Sequence, residues 1–140
     1  MTHLAADLGS MLAACAAAHF ADAGIDAVEG VPLHPRRKRE RTYNQSALLA
    51  AEVARRLGVP VLEGGLARVK DTRSQTAMNS AERRANVRGA FAARDPSWIE
   101  GRRILLVDDV MTTGATVAEC ARVLDEAGAA CVFVVSVARG

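Results

Sequence analysis

Apolar residues recur at helical spacing from the start of the chain. Leu4, Leu8, Met11, Leu12, Cys15 and His19 share one face of a helix predicted over 3–20, with Gly24 as its stop. A short apolar strand is predicted over 25–33, ended by Pro32 and Pro35. Thr42 and Gln45 then have capping-box spacing, and Ala47, Leu48, Ala51, Ala54 and Leu57 outline a second amphipathic helix that stops at Gly58. Residues 59–62 are β-branched enough for a strand, and Pro60, which has no N–H to donate, puts that strand at an edge.

The pattern changes over 64–88, which is polar and poor in large apolar residues. Ser80 is the expected cap of a brief helix through Asn86, with Glu82 in its first turn. A connection this long in a small domain is usually functional or mobile. Asp95 with Pro96 marks a turn, and Gly101 another. A fully apolar strand over 103–108 ends in acid. The next helix, over 114–127, is expected to turn Val117, Ala118, Ala121 and Leu124 inward and to stop at Gly128, before a last buried strand over 131–138. Strands that are apolar throughout, alternating with helices, predict an α/β fold: a mostly parallel central sheet with helices on both faces. With 140 residues and no internal repeat, a single domain over 1–140 is expected.

Composition narrows the class. Half of the residues are apolar and 24% are charged, which excludes a disordered chain. No apolar run is long enough to span a bilayer, and the N-terminal stretch lacks the basic start and apolar block of a secretion signal. Cys15, Cys120 and Cys131 form no CxxC pair and fall in apolar segments, so reduced, buried cysteines in a cytoplasmic protein are expected. The formal charge of +2 does not by itself imply a nucleic-acid partner. Its distribution matters more. Arg36, Arg37, Lys38, Arg39 and Arg41 are crowded together, and a second group comprises Arg68, Lys70, Arg73, Arg83, Arg84 and Arg88. Either group can converge on an anion; a solvated loop is the plain alternative for the first.

The segment 104–116 carries the chemistry. Ile104, Leu105, Leu106 and Val107 form a buried strand that delivers Asp108 and Asp109 to its C-terminal end, where ligands of open α/β sheets bind. After Val110 and Met111, the run Thr112, Thr113, Gly114, Ala115, Thr116 opens a helix. Backbone N–H groups at a helix start cradle an anion, and small side chains let a phosphate approach. Acids for vicinal hydroxyls beside a cradle for phosphate suit ribose 5-phosphate. The plain alternative is a strand-end turn with helix capping.

These thirteen residues match at every position the type I phosphoribosyltransferase signature, which is far more specific than a lone glycine motif. The stretch from Val31 through His34, Arg36, Arg37 and Tyr43 to Gln45 resembles the ComF/GntX group of competence-associated homologues. So does the pattern of Arg68, Asp71, Thr72, Gln75, Arg83, Asn86 and Phe91, and so does the ending after Val137, Ala138 and Arg139. The chain departs from that group in lacking the Cys-rich zinc module that usually comes first. The resemblance implies a type I phosphoribosyltransferase-like fold and a magnesium-dependent transfer from phosphoribosyl pyrophosphate to an unidentified acceptor, with nucleotide metabolism as the setting. Asp108 and Asp109 would hold the ribose hydroxyls, and residues 110–116 the 5-phosphate. His34, Arg36 and Arg37 would face the pyrophosphate. Residues 68–88 would take the place of the mobile closing loop, with Lys70 and Arg83 as its catalytic cations. Mg2+ would be held by the donor's own oxygens and not by a protein metal site.

Two further readings are carried alongside. One is a regulator that binds phosphoribosyl pyrophosphate or a nucleotide without turnover. The other is a DNA-uptake component that touches nucleic acid through 36–41. A homodimer without a membrane partner is the expected assembly.

Overall fold

The computed structural model describes residues 2–32, 45–62, 65–69, 79–108 and 114–136. Along the chain they form α1 (Thr2–Phe20), β1 (Ala27–Gly30), α2 (Gln45–Leu57), β2 (Leu66–Arg68), α3 (Ser80–Val87), β3 (Phe91–Ala93), a 3-10 turn (Pro96–Trp98), β4 (Arg103–Asp108), α4 (Ala115–Glu126) and β5 (Cys131–Ser136). β4 is central because both of its faces are apolar. β1 pairs parallel to it with Ala27 beside Ile104, and β5 pairs parallel on the other side with Arg103 beside Cys131. Ile104 and Leu106 point into one apolar layer and Leu105 and Val107 into the other, all four fully buried. Each such side chain contributes roughly 1.5–3 kcal/mol of burial. The sequence expectation of a parallel sheet covered on both faces holds.

One layer lies between the sheet and α4 with the β2–β3 pair; the other lies between the sheet and α1 with α2. The edge expected around Pro60 is also present. Val61 makes a single parallel bridge to Val28, whose N–H donates to the Pro60 carbonyl (3.0 Å), and the Leu62 N–H donates to the Val28 carbonyl (2.7 Å).

Several helix faces differ from the expected ones. On α1, Ala13 and Ala16 are buried, whereas Met11, Cys15 and His19 are exposed. The side chains of Leu4, Leu8 and Leu12 lie outside the described ones. On α2 the buried positions are Leu49, Ala50, Val53 and Ala54, with Leu57 packed beside them; Ala47, Leu48 and Ala51 are exposed. Alanines from both helices share this layer, and small residues let two helices approach more closely than large ones can. On α4, Cys120 and Val123 join Val117 and Leu124 inside, Ala121 is half-buried and Ala118 is exposed.

Of the cysteines only Cys120 is buried; Cys131 is half-buried and Cys15 exposed. β5 is less buried than its apolar run suggests. Among the described residues it is the sheet's edge, with Val134 exposed.

An unexpected antiparallel pair, a wide hairpin whose strands are joined through α3 and not by a tight turn, links the polar stretch to 91–93. β2 pairs antiparallel with β3, Leu66 beside Ala93 and Arg68 beside Phe91, and the Arg68 guanidinium stacks 5.1 Å above the Phe91 ring. The cap of α3 is Asn79, one residue before the expected Ser80. Its side chain accepts from the Glu82 N–H (2.8 Å) and Glu82 accepts from the Asn79 N–H (2.9 Å), a complete capping box. The turn at Asp95 forms as expected, its carboxylate accepting from the Ser97 N–H at 3.1 Å. The capping-box residue Thr42 lies outside the described residues.

Candidate functional site

Asp108 closes β4 beside Ser136 of β5, and the Val31 N–H donates to the Val107 carbonyl (2.9 Å) at the same sheet edge. The C-terminal ends of three parallel strands therefore meet where Asp108 is buried at 8% exposure. Seven residues later α4 begins. Its N-cap is Gly114 at φ 81°, ψ 1°, in the left-handed region, and no side-chain hydrogen bond caps this helix. Glycine adopts that conformation without the steric cost other residues meet. The Gly114 carbonyl accepts the first helical bond, from the Ala118 N–H at 2.8 Å. Ala115 is buried and Thr116 half-buried at the helix entrance.

Of the predicted site, then, Asp108, Gly114, Ala115 and Thr116 lie at one junction between strand and helix. Asp109, Val110, Met111, Thr112 and Thr113 lie outside the described residues, as do His34, Arg36, Arg37 and Lys70. Arg83 falls within α3, and its side chain is not among those described.

Next to the helix entrance is an open groove of about 640 Å³. It is lined by Val87, Arg88, Gly89, Gly114, Ala115, Ala118, Glu119 and Arg122. Glu119 organises its wall. Its carboxylate accepts from the Gly89 N–H (3.1 Å) and from Arg122 Nε (3.0 Å) and Nη2 (2.6 Å), while Arg122 Nη1 reaches Glu126 (2.5 Å). The Arg122 guanidinium beside it holds the Glu119 carboxyl below its ordinary range. This clamp ties the Gly89 turn to α4. The spacing of Glu119, Arg122 and Glu126 at i, i+3 and i+7 was a readable helix-face signal. The bond to Gly89, 30 residues away, had none.

The sequence reading also passed over Glu29, in β1. It is 3% exposed, and Oε2 accepts from the Leu66 N–H at 3.3 Å. Its other oxygen, Oε1, has no hydrogen-bond partner among the described residues. Burial pushes this carboxyl up to about 8, against the opposing pull of the nearby Leu66 and Gly65 backbone, of which only the Leu66 N–H has hydrogen-bond geometry to it. Cys120 is a buried thiol raised well above its ordinary value, first by burial and then by the charge of Asp108. It is a core group, not a nucleophile. No group of three or more His, Cys, Asp or Glu that could hold a metal occurs among the described residues, and no described helix is long and apolar enough to cross a membrane.

Comparison with known proteins places this geometry in context. Residues 44–140 match the phosphoribosyl transferase domain family. Competence protein F of Haemophilus influenzae is 38% identical over 104 residues, which cover 74% of this chain and 45% of that protein. DNA utilization protein YhgH of Escherichia coli O157:H7 is 39% identical over 109 residues, 78% of this chain and 47% of that protein. The chain thus spans about half the length of these relatives. Among solved structures, the glutamine phosphoribosylpyrophosphate amidotransferase from B. subtilis, complexed with ADP and GMP, is similar over 92% of this chain and 25% of that one. Its TM-score is 0.59 at 29% identity.

Proposed function

The chain belongs to the type I phosphoribosyltransferase family, in the ComF group, and from that premise we propose that it binds phosphoribosyl pyrophosphate and transfers the phosphoribosyl group to an acceptor. The observation that carries the proposal is the junction of β4 and α4: a buried acid at the strand tip and a glycine-started helix seven residues on. In this reading Asp108 and Asp109 accept hydrogen bonds from the ribose 2- and 3-hydroxyls. The backbone of 112–116 takes the 5-phosphate, favoured by the positive end of α4.

His34, Arg36 and Arg37 face the pyrophosphate, and Lys70 and Arg83 neutralise charge as it leaves. In the step itself the anomeric C–O bond breaks, pyrophosphate departs with the electron pair, and the acceptor bonds to the anomeric carbon. No protein nucleophile is needed; the side chains stabilise developing charge and exclude water. Mg2+, if bound by the donor's own oxygens and not by protein ligands, would supply further neutralisation of the leaving group. The burial of Asp108 at the strand tip supports this division of labour.

The test is calorimetric titration with phosphoribosyl pyrophosphate with and without Mg2+, followed by a screen of bases for pyrophosphate release. Asp108→Asn combined with Asp109→Asn is expected to weaken donor binding at least a hundredfold while the circular dichroism spectrum is retained. Unchanged affinity would remove the assigned role. Binding without turnover against any base would favour a sensor of the donor over an enzyme.

The names of the relatives support a second reading, in which the basic run 36–41 contacts a nucleic-acid backbone during DNA use. DNA affinity that falls steeply with salt, and less steeply once those residues are neutralised, would favour it.

A further inference from the structure

Glu29 sits at the joint between the parallel sheet and the β2–β3 hairpin. It lies on β1 beside Leu106 of β4, so it projects into the layer shared by the hairpin and α4. The hairpin's entry rests directly on it. The Leu66 N–H donates to Oε2, and a methyl group built on Gly65 would come within 2.9 Å of Oε1, so the carboxyl would have to shift to admit any side chain there. One carboxyl oxygen is engaged, and the other is buried with no partner among the described residues.

A charge enclosed in this way carries a large desolvation cost, whereas a neutral acid does not. Burial accordingly raises the group to about 8. Among the described residues the other charged or titratable groups of this layer are Arg68 on β2, Asp108 on β4 and Glu119 with Cys120 on α4; Glu29, Arg68, Asp108 and Glu119 each act electrostatically on the Cys120 thiol. Glu63 lies outside the described residues. Arg68 stacks on Phe91 across the hairpin.

We propose that Glu29 is a proton-operated latch: as a neutral acid it holds the Gly65 and Leu66 entry of the hairpin against the sheet, and loss of its proton releases that entry. The device acts below the level of global unfolding, because the hairpin strands have three residues each and, among the described residues, pair with one another alone, while β4 is paired on both sides. The opened hairpin returns Glu29 to water, where its carboxyl titrates in the ordinary range near 4.5. Opening is therefore favoured progressively from that range up to about 8 and is independent of pH above it.

Hydrogen exchange in the intact chain between pH 5 and pH 9, corrected for the intrinsic rate, tests this. The expected result is protection of the Leu66, Ala67 and Arg68 amides lower than that of Leu105 and Val107 at every pH. It should fall about tenfold per pH unit until it levels off near pH 8. In Glu29→Gln, which keeps an acceptor and cannot ionise, the hairpin amides should show no such fall. Identical pH profiles in the two proteins would overturn the latch. So would hairpin protection equal to that of β4, which would mean that the hairpin opens only with the whole domain. If the variant fails to fold, the wild-type Glu29 carboxyl can be followed by carbon-13 NMR. Titration near 8 supports the latch, and titration in the ordinary carboxylate range overturns it.

Discussion

Gly114 shows how much one residue can decide at this site. Its φ of 81° is a conformation that side chains resist by roughly 1–2 kcal/mol, and it lies where the chain turns from 108 into α4. Gly114→Ala is therefore expected to lower stability by about 1–2 kcal/mol in chemical denaturation. It should weaken binding of phosphoribosyl pyrophosphate by more than that loss explains, since the helix entrance must shift to relieve the strain. Equal affinity in the two proteins would separate the turn from the site. At this scale the sequence was informative where chemistry and local geometry coincide: two acids followed by Thr-Thr-Gly mark a strand end and a helix start without further help. It was silent about Glu29. An acid between Val28 and Gly30 in a short strand carries no local sign that the backbone of 65–66, more than thirty residues on, will cover it.

Among the elements, the meeting of α1 and α2 depends on small side chains. Ala13 and Ala16 of α1 share a layer with Ala50 and Ala54 of α2. Ala16→Leu should cost about 1–3 kcal/mol through overpacking, while Ala18→Leu, on the exposed side of the same helix, should change stability little. Thermal melts of the two variants decide the point; equal losses would mean that the helix faces are wrongly assigned. The existence of α1, α2, β4 and α4 was legible because the helices are long runs ended by glycine and β4 is an unbroken apolar run. Their orientation was less so. Alanine is apolar on every face, so in α2 the expected stripe through Leu48 was displaced by one residue, and the sheet buries Leu49 and Val53 instead. The hairpin was missed for another reason: three-residue strands such as Leu66, Ala67, Arg68 are too short to display alternation. The Asn79 cap was one residue from the expected position because Asn and Ser both cap well and the pattern could not choose between them.

For the whole molecule, two carboxyls set opposite pH limits. Glu29 is raised by burial, so its contribution is intact at and below its ordinary value near 4.5 and is lost as pH rises to about 8. Glu119 is lowered, chiefly by its bonds to Arg122, so its contribution is present above its ordinary value and is lost as pH falls through the acid range. Stability is therefore expected to peak at mildly acidic pH. Between pH 5 and pH 8 it should fall by up to roughly 3–5 kcal/mol, and Glu29→Gln should abolish most of that fall. Melting temperatures across this range provide the measurement; a flat profile in the wild-type chain would contradict the burial of a titrating Glu29.

The position of β4 bears on how the site can be watched. Asp108 follows Leu106 and Val107, which are anchored in opposite apolar layers. Whatever grips that carboxylate thus pulls on both halves of the interior at once. If a ligand binds there as proposed, its preference for the folded state raises the melting point, so a shift would report an inert ligand as readily as a reacting one.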